Sequence, residues 1–226
     1  MTTGDEAWLT TAWPLVRAHL PPPPGRVLEI GCGPTGGFVP ALLVEAYDAL
    51  GIDPQAPPGA AYTRSTFEES AATNGVAAFV ASTSLHHVQS LDRVLDRVAA
   101  ALAPGGVVIV LEWAWERFDE STAQWCFDRL PADGGVASPG WLHDHRRQWS
   151  ESGRPWDEYL STWARGHGLH PGAAMLSALD TRFRRTSLDD VAYFFSELPE
   201  TTAEEEARAV VAGQLRPSAF RYVGTV

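Results

Sequence analysis

The segment Glu29-Ile-Gly31-Cys-Gly33-Pro-Thr-Gly36-Gly37 decides the fold of this chain. The residues before it are apolar and predict a strand at 27–30, and the residues after it predict a helix that begins near Pro40. Glycines let the backbone turn tightly and approach a ligand because they carry no Cβ. Free amides at the start of the helix suit an anionic group. The pattern Gly31-x-Gly33-x-x-Gly36 therefore indicates a ligand site, but by itself it also matches the dinucleotide fingerprint.

Strands and helices alternate along the chain after this turn. We predict further strands at residues 49–53, 60–67, 77–82 and 107–111. Ser90 can cap a helix whose apolar residues recur at helical spacing, and Pro104-Gly105-Gly106 ends it. These apolar residues are Leu91, Val94, Leu95, Val98 and Leu102. Such alternation builds right-handed βαβ units, so the sequence predicts an α/β fold with a doubly wound sheet.

Composition and charge exclude several classes of function. The 226 residues carry a formal net charge of −11, which argues against a nucleic-acid partner. No apolar stretch approaches the ~20 residues of a membrane span. The first eight residues lack the basic and apolar pattern of a signal peptide, so we expect a cytoplasmic protein. Two cysteines suggest no disulfide framework, and Cys32 is interpreted as a small filler in the turn.

Asp53 is the second element of the candidate site. It follows Gly33 by twenty residues and lies at the end of the second predicted strand. A carboxylate at this position can accept hydrogen bonds from both hydroxyls of a ribose. The alternative is that Asp53 only caps a helix or closes a turn before Pro54.

Four motifs in order resemble the class I S-adenosylmethionine-dependent methyltransferases. They are the Gly-rich turn, Asp53, Ser84-Leu85-His86-His87-Val88 after the fourth strand, and the residues 102–106 before the fifth. The closest likeness is to the small-molecule branch of type 11, and it covers residues 26–112 and, loosely, the last strand at 220–223. It implies a Rossmann-like sheet that is mostly parallel, with an antiparallel C-terminal strand and a helical cover segment.

The resemblance also implies roles for individual residues. Glu29 would orient the turn and the methionine moiety, Gly31 and Gly33 would line that moiety, and Asp53 would bind the ribose. Phe67 and Glu68, at the end of the third strand, would contact the adenine, and Ser82 would face the sulfonium. The complete set of predicted S-adenosylmethionine-binding residues is Glu29, Gly31, Cys32, Gly33, Gly36, Asp53, Pro54, Phe67, Glu68 and Ser82.

On this interpretation the chain is a single methyltransferase domain, residues 1–226. Residues 1–25 would form an N-terminal helical segment, 26–112 the cofactor-binding core, 113–185 a cover that contacts the acceptor, and 186–226 a strand, a helix and a strand. Seven of the nine tryptophans lie at or after Trp113. Trp156, Leu160, Trp163 and His167 recur at helical spacing. These tryptophans favour a core, yet their number also indicates a large aromatic or apolar acceptor pocket.

Two alternatives remain open at this point. One is an NAD(P)-dependent oxidoreductase, which the charge of Glu29 before the first glycine and the lack of a Tyr-x-x-x-Lys pair disfavour. The other is a protein that keeps this fold and binds the cofactor without methylating anything. We predict methyl transfer to a small organic acceptor by in-line displacement, and leave open whether the protein forms a homodimer.

Methyl transfer needs a base only for an acceptor that loses a proton. His86 and His87 are the candidates, because imidazole titrates near neutral pH; each could instead serve packing or hydrogen bonding alone.

Glu112 and Glu116 either face the acceptor or interact with Arg117 and solvent. His143-x-His145 could chelate a metal only in an extended loop, and no third ligand is indicated. We therefore predict a solvated loop there and no metal site.

Overall fold

One seven-stranded sheet organises the molecule, in the order β3-β2-β1-β4-β5-β7-β6. The computed structural model describes residues 4–71, 73–131 and 140–226. Within these ranges, none of the helices combines the length and the apolar composition that a membrane span needs. The strands are Arg26–Ile30 (β1), Asp48–Ile52 (β2), Tyr62–Thr63 (β3), Val76–Ser82 (β4), Leu102–Trp113 (β5), Arg184–Val191 (β6) and Ala219–Thr225 (β7). The first five strands pair in parallel, and β7 is antiparallel to both β5 and β6. The predicted fold class is confirmed.

The eight α-helices of the described residues cover both faces of the sheet and its carboxyl edge. They are Gly4–His19 (α1), Val39–Val44 (α2), Leu91–Ala101 (α3), Glu120–Phe127 (α4), Trp141–Ser152 (α5), Trp156–Gly166 (α6), Gly172–Asp180 (α7) and Ala203–Val211 (α8). The predicted cap of α3 is confirmed, because Ser90 Oγ accepts a hydrogen bond from the Arg93 N–H. The helix ends at Ala101, however, and Leu102 already pairs with Val76. β5 is therefore longer than the predicted strand at 107–111.

The third predicted strand is present, but it is shorter than the predicted range of residues 60–67. Only Tyr62 and Thr63 pair with β2 at this edge of the sheet. The N–H groups of Glu69 and Ser70 then bond to the Thr66 carbonyl, which closes a turn. Phe67 and Glu68 consequently lie in that turn and not at a strand end.

Within the described residues, three apolar cores hold these layers together. On one face of the sheet, Leu28 and Phe79 pack with α3 and α7, and on the other face Val27 and Ile109 pack with α1 and α2. The third core lies in the cover and is built from aromatic rings. Trp156 is fully buried in this third core, whereas Trp141, Trp149 and Trp163 are partly buried against it. The predicted helical spacing from Trp156 to Trp163 is confirmed by α6.

The prediction of a solvated loop at His143-x-His145 is wrong, because both residues lie on α5. His145 is buried, and its Nδ1 lies 2.8 Å from Tyr159 Oη. Burial, and after it the nearby His167, lower the pKa of His145 to about 4. Burial also raises the pKa of Tyr159 to about 12. Within the ranges that the structure describes, no group of three or more His, Cys, Asp or Glu residues could hold a metal.

We expect the contribution of His145 to the free energy of unfolding to fall as the pH is lowered from 7 to 4. An unfolded histidine binds its proton near pH 6.5, whereas folded His145 does so only near pH 4, so the unfolded state binds more protons in this window. The stabilisation is complete above the unfolded pKa and is lost toward pH 4, by up to about 3 kcal/mol for this one group. Urea unfolding at several pH values measures it. His145→Gln should flatten the profile, and equal slopes in both proteins would contradict the assignment.

Candidate active site

A cleft of about 370 Å³ opens where β1, β2 and β4 end. Ligands of open α/β sheets bind at this carboxyl edge. Six of the predicted cofactor-binding residues line the cleft: Gly31, Gly33, Asp53, Pro54, Phe67 and Glu68. His87 lines it as well, but His86 does not. We call this space the main cleft.

A narrower recess of about 100 Å³ adjoins the main cleft and shares Asp5, Gly31, Gly33 and Thr83 with it. Three further predicted residues line the recess: Glu29, Cys32 and Ser82. Gly36 lines neither space. A Cβ on Gly36 would lie 2.5 Å from Tyr62 Oη, so this glycine serves the packing of the turn against β3.

The other glycines of the turn act differently from one another. Gly31 has a φ of +78°, and a Cβ there would lie 2.2 Å from the Ser84 Cβ, so only glycine lets β1 meet the loop after β4. Gly33 also has a positive φ, +62°, but no atom lies within 4 Å of its Cβ position. The backbone at Gly33 is thus open toward the cleft, as close contact with a ligand requires.

Glu29 holds the turn against α2. Its carboxylate is buried, and Oε2 accepts a hydrogen bond of 2.7 Å from the Phe38 N–H, at the start of the helix. A Cβ on Gly37 would lie 2.2 Å from Glu29 Oε1, so glycine is required beside the carboxylate. Burial raises the pKa of Glu29 to about 8, although the amides of Phe38 and Val39 oppose the shift.

Asp53 connects the turns that follow β1 and β2. Its Oδ2 accepts a hydrogen bond of 3.1 Å from the Gly33 N–H, and its Oδ1 accepts one of 2.6 Å from the Gln55 N–H. The turn contact that the sequence left as an alternative is therefore present, and the same carboxylate also lines the main cleft. Asp53 and Gly33 form one continuous wall of that cleft.

The remaining predicted residues shape the ends of the two spaces. Cys32 packs toward β2, and burial raises the pKa of its thiol to about 12, which agrees with its interpretation as a filler. Ser82 Oγ accepts a hydrogen bond of 2.8 Å from Trp8 Nε1 and so fastens α1 over the recess. Phe67 packs edge-on against Phe79. Glu68 Oε1 accepts a bond of 3.1 Å from the Gln89 N–H at the rim of the main cleft.

His86 and Glu112 form a buried pair behind the main cleft. His86 Nδ1 lies 2.6 Å from Glu112 Oε2. Glu112 Oε1 accepts hydrogen bonds from the Ser84 N–H at 2.6 Å and the Leu85 N–H at 2.5 Å. Because this carboxylate already accepts from three amides, the third being the Trp113 N–H at Oε2, we assign the proton between the two side chains to Nδ1 of His86. The pair therefore has the arrangement of an oriented imidazole base.

The predicted interaction of Glu112 and Glu116 with Arg117 is wrong, because backbone amides hold both carboxylates. Glu112 is fully buried and contacts neither Arg117 nor solvent. Glu116 accepts hydrogen bonds from the N–H groups of Gly172 and Ala173 and thereby caps α7. Arg117 pairs with Asp190 instead.

His87 stands beside this pair at the cleft surface. The centroids of the His86 and His87 rings are 4.1 Å apart. Desolvation, and then the neighbouring His86, lower the pKa of His87, so its ring stays uncharged at neutral pH. An uncharged ring does not repel a cationic ligand in the cleft.

Comparison with known proteins agrees with this geometry. The profile of a family described as "Methyltransferase domain" matches residues 8–157. The chain belongs to this methyltransferase domain family. No curated protein matches it by sequence.

Solved structures show the same fold. One is an S-adenosylmethionine-dependent methyltransferase from Mesorhizobium loti, with 19% identity, a TM-score of 0.57, and coverage of 95% of this chain and 97% of that one. Another is geranyl diphosphate C-methyltransferase from Streptomyces coelicolor A3(2), in complex with Mg²⁺, geranyl diphosphate and S-adenosyl-L-homocysteine. Its identity is 13% and its TM-score 0.56, over 96% of this chain and 78% of that one. The resemblance to class I S-adenosylmethionine-dependent methyltransferases is confirmed, and the oxidoreductase alternative is set aside.

Sequence reasoning missed Asp5 and Trp8 at the site of this methyltransferase, and it named Glu112 without its contact with His86. Asp5 and Trp8 of α1 line the recess. Glu112 is fully buried beside His86. A charged residue directly after the apolar run at 107–111 is the one signal that marks Glu112 in advance. No local pattern marks Asp5 or Trp8, because α1 reaches the recess only through the packing of the whole fold.

Proposed function

We propose that this methyltransferase transfers the methyl group of S-adenosylmethionine to a small organic acceptor, with the cofactor held in the main cleft and the recess. The observation that carries the proposal is that nine of the ten residues predicted to bind the cofactor line these two adjoining spaces. The volume of the main cleft, about 370 Å³, suits a small-molecule site. When bound, the cofactor supplies a methyl carbon that its sulfonium already makes electrophilic.

The residues of the two spaces fit such a molecule. In the main cleft, the open backbone at Gly33, the carboxylate of Asp53 and the ring of Phe67 suit a nucleoside. In the recess, Asp5 and Ser82 supply oxygens for an ammonium group. Neither lining contains a Lys or Arg among the described residues, so both spaces are acidic and suit a positively charged sulfonium.

The protein contributes mainly alignment and removal of a proton. Holding the acceptor in line with the methyl group is worth up to ~7–11 kcal/mol. Glu112 fixes the ring of His86 through Nδ1, which leaves Nε2 free to take the proton of the acceptor. His86 is therefore the general base in this mechanism. His87 lines the main cleft and is uncharged. The cytoplasmic location and the lack of nucleic-acid or membrane partners remain predictions from the sequence, and so does the single-domain division.

Replacing Asp53 by alanine is expected to weaken the binding of S-adenosylhomocysteine by about 30- to 150-fold. The expected loss is about 2–3 kcal/mol, because the variant removes a charged acceptor of ribose hydroxyls. Isothermal titration measures the affinity, and Asp53→Asn, which keeps one acceptor oxygen, should lose less. Thermal unfolding of both variants controls for the lost bonds to Gly33 and Gln55. Tight binding of NAD by the wild type, with no response to S-adenosylhomocysteine, would overturn the proposed function.

A further inference from the structure

Tyr193 lies at the same edge of the sheet as the main cleft, although it is far from the cleft residues in sequence. β6 ends at Val191, which pairs with Ala219, and Ala219 pairs with Trp113 at the end of β5. Because β6 and β5 are both antiparallel to β7, they run in the same direction. Tyr193 therefore follows a strand end on the ligand-binding side of the sheet.

The ring of Tyr193 contacts one ring that lines the recess and another that lies beside His86. It stacks on the Trp113 ring with a centroid distance of 5.7 Å and an interplanar angle of 9°. It also meets the Trp8 ring edge-on at 5.5 Å. Trp8 lines the recess, and the Trp113 ring lies 6.0 Å from the ring of His86. Tyr193 therefore lies between Trp8, which lines the recess, and Trp113, which lies beside His86.

The loop that carries Tyr193 is held rigidly, while its hydroxyl is left free. Glu206 of α8 is fully buried and accepts hydrogen bonds from the N–H groups of Tyr193 and Phe195, at 2.8 and 2.6 Å. Within the described part of the chain, Tyr193 Oη has no hydrogen-bond partner, and it is not one of the enclosed polar atoms. The indole N–H of Trp113 is enclosed and has no partner among the same residues.

Charge around the hydroxyl is uniformly negative. Burial, followed by the carboxylates of Glu197, Glu112 and Asp5, raises the pKa of Tyr193. The hydroxyl consequently stays protonated and can act only as a hydrogen-bond donor or neutral acceptor. The same carboxylates repel an anionic molecule placed beside the ring.

We propose that Tyr193 determines acceptor specificity: its hydroxyl donates a hydrogen bond to an aromatic acceptor that is neutral or cationic, held between the recess and His86. This inference rests on the proposed function and names the substrate class of the same site. The aromatic rings of Trp8, Trp113 and Tyr193 suit a flat apolar body, and the carboxylates select its charge. The acceptor then differs in charge from the diphosphate bound by the Streptomyces coelicolor enzyme.

Three phenols of one shape test the proposal. Tyramine is cationic, tyrosol neutral and 4-hydroxyphenylacetate anionic, and each is titrated calorimetrically into the protein saturated with S-adenosylhomocysteine. Tyramine and tyrosol should bind at least about tenfold more tightly than 4-hydroxyphenylacetate. Tyr193→Phe should weaken tyrosol about two- to twelvefold, as for one neutral hydrogen bond, and change the affinity for S-adenosylhomocysteine less than twofold. Tyr47→Phe is the matched control, because its hydroxyl bonds to the Pro21 carbonyl and lines neither space.

Several results would overturn the proposal. They are 4-hydroxyphenylacetate binding as tightly as tyrosol, none of the three phenols binding, or Tyr193→Phe binding tyrosol like the wild type. Failure of the proposed function looks different: S-adenosylhomocysteine itself would not bind. The phenol series on the free protein would then still report on Tyr193.

Discussion

Replacing His86 by alanine is expected to lower the rate of methyl transfer by about 10²–10⁴-fold, the usual contribution of a general base. Affinity for S-adenosylhomocysteine should change less than about threefold, since His86 does not line the main cleft. Initial rates with radiolabelled S-adenosylmethionine measure the effect, using the acceptor that the wild type methylates fastest in a panel of phenols and alcohols. A variant that keeps its rate would show that no base acts at His86.

Glu112→Gln and Glu116→Gln form a matched pair for the same hypothesis. Each carboxylate accepts hydrogen bonds from two consecutive backbone N–H groups, and the fully buried Glu112 accepts a third from Trp113, so urea unfolding of both variants measures the structural cost separately. Only Glu112 also holds His86, so kcat should fall in Glu112→Gln and stay near the wild-type value in Glu116→Gln. An equal loss of kcat in the two variants would assign Glu112 a purely structural role.

Local sequence was sufficient to predict those parts of the molecule that are built from contiguous residues. The strand, the Gly-rich turn and the start of α2 lie within residues 26–44, and their signals are strand-forming residues, glycines and a proline. The cap and apolar stripe of α3 are similarly local. Asp53 could be placed because it directly follows a predicted strand, and strand ends in an α/β sheet meet at one edge.

Other parts depend on contacts that no local pattern encodes. β3 is shorter than predicted because only two of its residues pair with β2 at the sheet edge. Phe67 and Glu68 therefore lie in a turn and not in a strand. His143 and His145 have too few apolar neighbours in sequence to indicate a helix, yet α5 forms and buries His145 against Tyr159. Tyr193 comes to the site only through the pairing of β6 with β7.

Buried carboxylates are the clearest example of this limit. Glu29, Glu112, Glu116 and Glu206 each accept at least one backbone N–H of a loop or helix start, and three of the four are fully buried. In sequence, Glu29 is marked by the Gly-rich turn and Glu112 by the apolar run before it, but Glu116 and Glu206 resemble any other glutamate of an acidic chain. Their role depends on which amides the fold leaves unpaired, and a buried amide without a partner is costly. For Glu116 and Glu206, only the fold shows which amides the carboxylate binds.

The cover segment contains the residue whose loss should destabilise the protein most. Trp156 is fully buried, its ring contacts those of Phe118, Phe127 and Tyr159, and its indole N–H donates to the Phe118 carbonyl. Trp156→Ala removes this packing and leaves a carbonyl without its donor. We expect a loss of about 3–5 kcal/mol in the free energy of unfolding, measured by urea titration at pH 7.

Trp163, seven residues later on α6, provides the matched comparison. It is only partly buried, against His145 and Trp113, so Trp163→Ala should lose clearly less stability than Trp156→Ala. Trp113 also contacts His86 and Tyr193. Loss of the Trp163 ring should therefore disturb the residues near the acceptor and leave those near the cofactor unchanged. Acceptor turnover should then fall while affinity for S-adenosylhomocysteine is retained. If Trp163→Ala instead loses as much stability as Trp156→Ala, with turnover by the folded fraction unchanged, α6 contributes only core packing and the cover does not form the acceptor pocket.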